Sequence, residues 1–129
     1  MIRAGDTVCP FILKVIEMNP SQSPITILGC GSYGTALAIS FSRNGSPTYL
    51  WGHNPDHIHQ MQQERQNRRF LPDIEFPESL HLELDLKTAL EQSKDILIVV
   101  PSHAFGEILL KIRPHLKSDH RLIWATKGL

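Results

Sequence analysis

ITILGCGSYGTALA, residues 25–38, is the stretch whose reading decides the fold. Ile25–Leu28 is a short apolar run that leads directly into Gly29-Cys30-Gly31-Ser32-Tyr33-Gly34. Residues 35–43 follow, rich in Ala, Leu, Ile and Phe, and end at Asn44-Gly45, a helix-stop signal. A G-x-G-x-x-G spacing says little alone. Set between an apolar strand and an apolar helix, it points to a phosphate-cradling loop. Gly29 permits the tight turn out of the strand. Gly31 has no Cβ, so a pyrophosphate can approach the backbone. Gly34 lets the helix pack closely on the sheet. The helix N-terminus adds free N–H groups and a positive dipole end. The alternative for these six residues is a glycine-rich turn with no ligand.

Outward from this loop the pattern stays regular. Thr48–Trp51 reads as a second strand, and residues 56–65 as a polar helix capped by Asn54 or Asp56. Leu71-Pro72 and Phe76-Pro77 punctuate a connector expected to be irregular. Leu80, Leu82 and Leu84 alternate with polar residues as a strand does, and residues 86–92 form a short helix. Residues 95–100 (DILIVV) have the nearly continuous apolar character of a parallel strand covered on both faces. A helix over 104–112 stops at Pro114, and residues 121–126 make the last strand. This alternation implies an α/β chain: a Rossmann-type, doubly wound parallel sheet with helices on both faces. The expected strand order, counted along the chain, is 3-2-1-4-5.

The chain has 129 residues and is 41% hydrophobic, enough for one domain with a sizeable core. Thirteen Lys and Arg balance thirteen Asp and Glu, which leaves no electrostatic case for nucleic acid or a membrane surface. No apolar run approaches the length of a membrane span. Cys9 and Cys30 form no disulfide framework or metal spacing and suit a reducing cytoplasm. The seven histidines do not converge; His57 and His59 are two apart and share no helix face. No metal site is expected. Residues 1–17 lie before a second methionine, Met18, and a proline-bounded polar stretch. Pro10 and Lys14 break their apolar run, so they make a poor signal peptide. Residues 1–24 are read as an N-terminal extension outside the fold and 25–129 as the nucleotide-binding domain. The chain stops just after a strand, the expected mark of a fragment.

Three further clusters fall where ligands bind in this architecture, at the carboxyl ends of the strands. Trp51-Gly52-His53-Asn54 ends the second strand. An NAD-specific site usually has Asp or Glu here, about twenty residues past the loop, to hold the adenosine ribose. His53 stands there instead, so no carboxylate repels a 2′-phosphate, and Arg65, Arg68 and Arg69 are candidates for nearby positive charge. That favours NADP slightly, with NAD also allowed; the bland alternative is that His53 caps the next helix. Val99-Val100-Pro101-Ser102-His103-Ala104-Phe105 follows the fourth strand, where Phe105 either packs against the cofactor or faces the core. Ala125-Thr126-Lys127-Gly128 follows the fifth, where Lys127 either reaches a phosphate or is solvated.

Taken together, GCGSYGTALA (29–38), LWGHNPDHI (50–58), FLPD (70–73), VVPSHAFGEIL (99–109) and WATKGL (124–129) resemble the bacterial NAD(P)-dependent glycerol-3-phosphate dehydrogenases. The resemblance covers almost everything from Ile25 onward. It implies reversible hydride transfer between NAD(P)H and dihydroxyacetone phosphate, giving sn-glycerol 3-phosphate for phospholipid synthesis in the cytoplasm. It places Gly29, Gly31, Ser32, Tyr33 and Gly34 at the pyrophosphate loop, His53 by the adenosine ribose, Phe105 flanking the cofactor, and Lys127 touching both cofactor and substrate. It implies a homodimer of the intact enzyme. The family's second, helical domain carries the general acid/base lysine and holds the substrate phosphate; it is absent here, so no catalytic residue is expected in this chain. The rival readings are another two-domain dehydrogenase of the 6-phosphogluconate or hydroxyacid type, and a non-catalytic dinucleotide-sensing module. Trp51-Gly52-His53 and Lys127-Gly128 argue against the first, and nothing basic or helix-turn-helix-like supports the second.

Overall fold

The computed structural model describes residues 23–125. The expectations for residues 1–17 and for Lys127 fall outside the described residues. The elements run β1 (Ile25–Leu28), α1 (Ser32–Arg43), β2 (Thr48–Trp51), α2 (Pro55–Glu64), β3 (Gln66–Asn67), β4 (Leu71–Glu75), β5 (Leu80–Glu83), α3 (Leu86–Glu91), β6 (Asp95–Ile98), α4 (Ser102–Ile112), a 3-10 turn (Arg113–His115) and β7 (Arg121–Trp124). Five strands form one parallel sheet in the order β5-β2-β1-β6-β7, the expected 3-2-1-4-5 arrangement. The strand order reverses between β1 and β6, which leaves a crevice above their carboxyl ends.

The period of two along each strand splits the core into two layers. Ile25, Ile27, Leu50, Leu82 and Leu97 face one side and meet Leu37, Ala38, Phe41, Ile58 and Met61 of α1 and α2. Leu28, Trp51, Ile96 and Ile98 face the other and meet Ala89, Leu90, Ile108 and Ile112 of α3 and α4. The buried polar groups are satisfied, as they must be. The Thr26 hydroxyl donates to the Ala89 carbonyl at 2.7 Å and pairs with Ser93, tying β1 to α3. Asp95 is buried at the start of β6 and accepts two hydrogen bonds from the Arg121 guanidinium at 2.6 and 2.9 Å, which pins the β6–β7 register.

Two local expectations need correction. The connector after α2 is not irregular: β3 and β4 form a separate antiparallel pair with a bulge at Gln66/Asn67. Pro72 is compatible with it because it sits exposed on a ribbon that no further strand joins among the described residues. Helix α1 begins at Ser32, three residues before the expected 35–43 span, because Gly31 is already its N-cap in extended conformation. The cap of α2 is Asn54, whose Oδ1 accepts from the Asp56 and His57 amides.

Candidate functional site

The glycine loop sits at the carboxyl end of β1, held on both sides. The Gly29 amide donates to the Trp51 carbonyl and the Val99 amide to the Leu28 carbonyl, both at 2.8 Å. Gly29 has φ +128°, and a Cβ there would lie 1.9 Å from the Val99 carbonyl oxygen. At Gly34 an added Cβ would lie 2.1 Å from the Gly29 carbonyl oxygen. These two glycines serve the close approach of strand, loop and helix. Gly31 is different. Its backbone is ordinary extended conformation, φ −71° and ψ −176°, and a Cβ there would meet no atom beyond its chain neighbours within 4 Å. The missing Cβ at Gly31 leaves space on the cleft side, and no internal packing demands it.

Around this loop lies a cleft of about 640 Å³. Its floor is Gly29 to Gly34; its sides are the end of β2 (Gly52, His53, Asn54), the end of β6 (Val99, Val100, Pro101), and His57, Arg69 and Phe70. Helices α2 and α3 have side-chain caps, Asn54 and Asp85. Helices α1 and α4 start at the cleft with no side-chain cap and no acidic residue in the first turn. An uncapped helix N-terminus facing open space is a ready anion site.

The structure brings Gly29, Gly31, Ser32, Tyr33, Gly34 and His53 together around one cleft. His53 is exposed and does not cap α2, since Asn54 does. Phe105 is half-buried, packs on the α3–α4 side of the core and lies 5.5 Å, centroid to centroid, from the Trp124 ring; it does not line the cleft. Of the three arginines, Arg65 is spent on the Pro77 and Leu80 carbonyls, and Arg68 pairs with Glu64 on the surface. Arg69 alone of these lines the cleft, stacked over Phe70 at 5.0 Å. His57, Asn67 and Phe70 were not singled out as site residues from sequence. Helix α2 brings in His57, and the β3–β4 ribbon brings in Asn67 and Phe70; of these only Phe70 lies in the FLPD stretch at 70–73.

Cys30 also borders the cleft, with its side chain turned into the core. Desolvation by burial pushes its thiol from 9.0 up to about 12. The folded chain therefore holds the unreactive thiol. Iodoacetamide at pH 8 is expected to leave Cys30 unmodified until denaturant is added, with peptide mapping to separate it from Cys9; rapid labelling in the folded chain would contradict this. Above pH 9 the unfolded chain ionises this thiol and the folded chain does not, so stability falls as pH rises toward about 12.

Among the described residues no helix is long and apolar enough to cross a membrane, and no cluster of three or more His, Cys, Asp or Glu side chains could hold a metal. Residues 24–129 match the family model described as NAD-dependent glycerol-3-phosphate dehydrogenase N-terminus. The chain is 78% identical over 112 residues to the NAD(P)+ glycerol-3-phosphate dehydrogenase of Haemophilus influenzae, covering 87% of this chain and 33% of that protein. The enzyme of the same name from Mannheimia succiniciproducens is 69% identical over the same shares. The crystal structure of glycerol-3-phosphate dehydrogenase from Coxiella burnetii superimposes with a TM-score of 0.81 at 48% identity, covering 85% of this chain and 34% of that one. The chain thus spans about a third of the length of the relatives it matches. With a Rossmann-type sheet, an open glycine loop and a family match from residue 24 to 129, the chain belongs to the NAD-dependent glycerol-3-phosphate dehydrogenase family, in its N-terminal part.

Proposed function

We propose that this chain is the cofactor-binding half of an oxidoreductase that interconverts dihydroxyacetone phosphate and sn-glycerol 3-phosphate with NAD(P)H. The observation that carries the reading is the open space at Gly31, in front of an uncapped α1 N-terminus, on the floor of a cleft large enough for a dinucleotide. Amides of the loop and the first turn of α1 hold the pyrophosphate. His53 and Arg69 face the adenosine end. No carboxylate stands at the end of β2, and Arg69 supplies positive charge, so both NAD and NADP are accepted, with NADP favoured slightly. The bound nicotinamide supplies the hydride; this chain's residues bind and orient it. Lys127 is assigned to cofactor and substrate. A small-molecule phosphate substrate, a cytoplasmic location, a role in phospholipid synthesis and a homodimer of the intact enzyme belong to the same proposal.

The test is a fluorescence titration of the 129-residue chain with NADPH and with NADH. Saturable binding of both is expected, NADPH the tighter. Absence of binding by either would overturn the reading. Adding dihydroxyacetone phosphate is expected to leave NADPH unconsumed. The resemblance puts the acid/base lysine in a second domain, and a positioned proton donor is worth about 10²–10⁴-fold in rate. Turnover near the rate of an intact enzyme would show that the acid lies in this chain.

A further inference from the structure

Asn67 is fully buried, and all four of its side-chain hydrogen-bonding positions are engaged. Its Nδ2 donates to the Cys30 carbonyl at 2.9 Å and to the Thr35 hydroxyl at 2.8 Å. Its Oδ1 accepts from the Phe70 amide at 3.1 Å and pairs with His57 Nε2 at 3.0 Å. The partners fix the orientation of the amide. A carbonyl can only accept and a backbone amide can only donate, so Nδ2 must face Cys30 and Oδ1 must face Phe70. His57 therefore carries its proton on Nε2. One side chain thus fastens three things: the glycine loop, helix α1, and the cleft wall that holds His57, Arg69 and Phe70.

We propose that Asn67 is a positioning residue for the dinucleotide, acting through the Cys30–Gly31 peptide. A trans peptide is planar, and its C=O and N–H point in opposite directions. There are no cis peptides in the described chain. The Cys30 carbonyl is drawn into the interior by Asn67 and, at 3.4 Å, by the Thr35 hydroxyl. The Gly31 N–H is thereby aimed the other way, to the side where the cleft opens and the pyrophosphate is assigned. Without the Asn67 amide only the long 3.4 Å bond from Thr35 restrains this carbonyl, and Gly31 has no side chain to resist rotation. Asn67 also locks the β3–β4 ribbon against the loop, which sets the width of the cleft between Gly31 and Phe70.

This inference rests on the proposed dinucleotide reading, and its test separates the two. Asn67→Asp keeps shape and size but puts an acceptor where Nδ2 donates to the Cys30 carbonyl. The variant, wild type and Thr26→Val are each measured by denaturant unfolding and by NADPH titration. Thr26 bonds Ala89 and Ser93 on the α3 side of the sheet, away from the cleft, so Thr26→Val lowers stability alone. Asn67→Asp is expected to weaken NADPH binding by about 10- to 100-fold in its folded fraction, as misplacement of a positioned group does. Thr26→Val is expected to bind as wild type does. Unchanged affinity of folded Asn67→Asp would overturn the inference and leave the dinucleotide reading standing; failure of wild type to bind would remove that reading itself. Should Asn67→Asp not fold, the Gly31 amide of wild type decides. Its NMR signal is expected to exchange rapidly with water and to shift on adding NADPH. A protected Gly31 amide, unmoved by NADPH, would overturn the inference.

Discussion

Gly29→Ala is expected to destabilise the fold severely. The replaced residue sits at φ +128°, where L side chains are strained by about 1–3 kcal/mol. Its Cβ would stand 1.9 Å from the Val99 carbonyl oxygen, a hard overlap with backbone that cannot turn aside. Relief requires β1 and β6 to separate at their carboxyl ends. That breaks the Val99–Leu28 backbone bond in the centre of the sheet. The combined loss is on the order of 4 kcal/mol or more, against a total of about 5–15 kcal/mol for a domain. Urea unfolding followed by circular dichroism reads the effect. A midpoint within error of wild type would mean that the loop is not packed against β6 as described.

The same loop explains why so much of the fold was legible in the sequence. Apolar runs 25–28 and 95–98 are buried on both faces, so their composition alone marks central parallel strands. Right-handed crossovers then leave few orders for the remaining strands. The Gly29, Gly31 and Gly34 roles were readable because each is a demand on missing atoms. The cleft wall was harder to read. β3 has two residues and a bulge, too short for any alternation to register, and Pro72 hides β4. Asn67 looks like any polar residue in a polar stretch; only its position against Cys30 and Thr35 gives it meaning. Phe105 had its signal in plain view. With Ile108, Leu109 and Ile112 it makes an i, i+3, i+4, i+7 stripe, the pattern of a helix face turned to the core. The resemblance implies a place beside the cofactor; in the structure the ring lies on the α3–α4 side of the core, near Trp124.

Gly31→Val is expected to have the opposite profile from Gly29→Ala. The backbone at Gly31 lies at φ −71°, ψ −176°, which a β-branched residue adopts readily, so positive φ is no part of its role. No atom beyond the chain neighbours lies within 4 Å of the added Cβ, so the cost to the fold is that of a poorer helix N-cap, about 1 kcal/mol. The valine side chain enters only the cleft, in front of the α1 N-terminus. A pyrophosphate held on those amides must come within hydrogen-bonding distance of the backbone, and the branched side chain takes that space. Binding is expected to weaken by about a hundredfold or more, roughly 2.7 kcal/mol.

The most direct test of the central claim is therefore NADPH titration of wild type and Gly31→Val, with circular dichroism and urea unfolding on the same samples. The account predicts matching spectra, a midpoint lowered only by the poorer N-cap, saturable NADPH binding by wild type, and binding at least about a hundredfold weaker by Gly31→Val. A Gly31→Val chain that folds like wild type and binds NADPH with unchanged affinity would contradict it, because the loop would then not be holding a pyrophosphate.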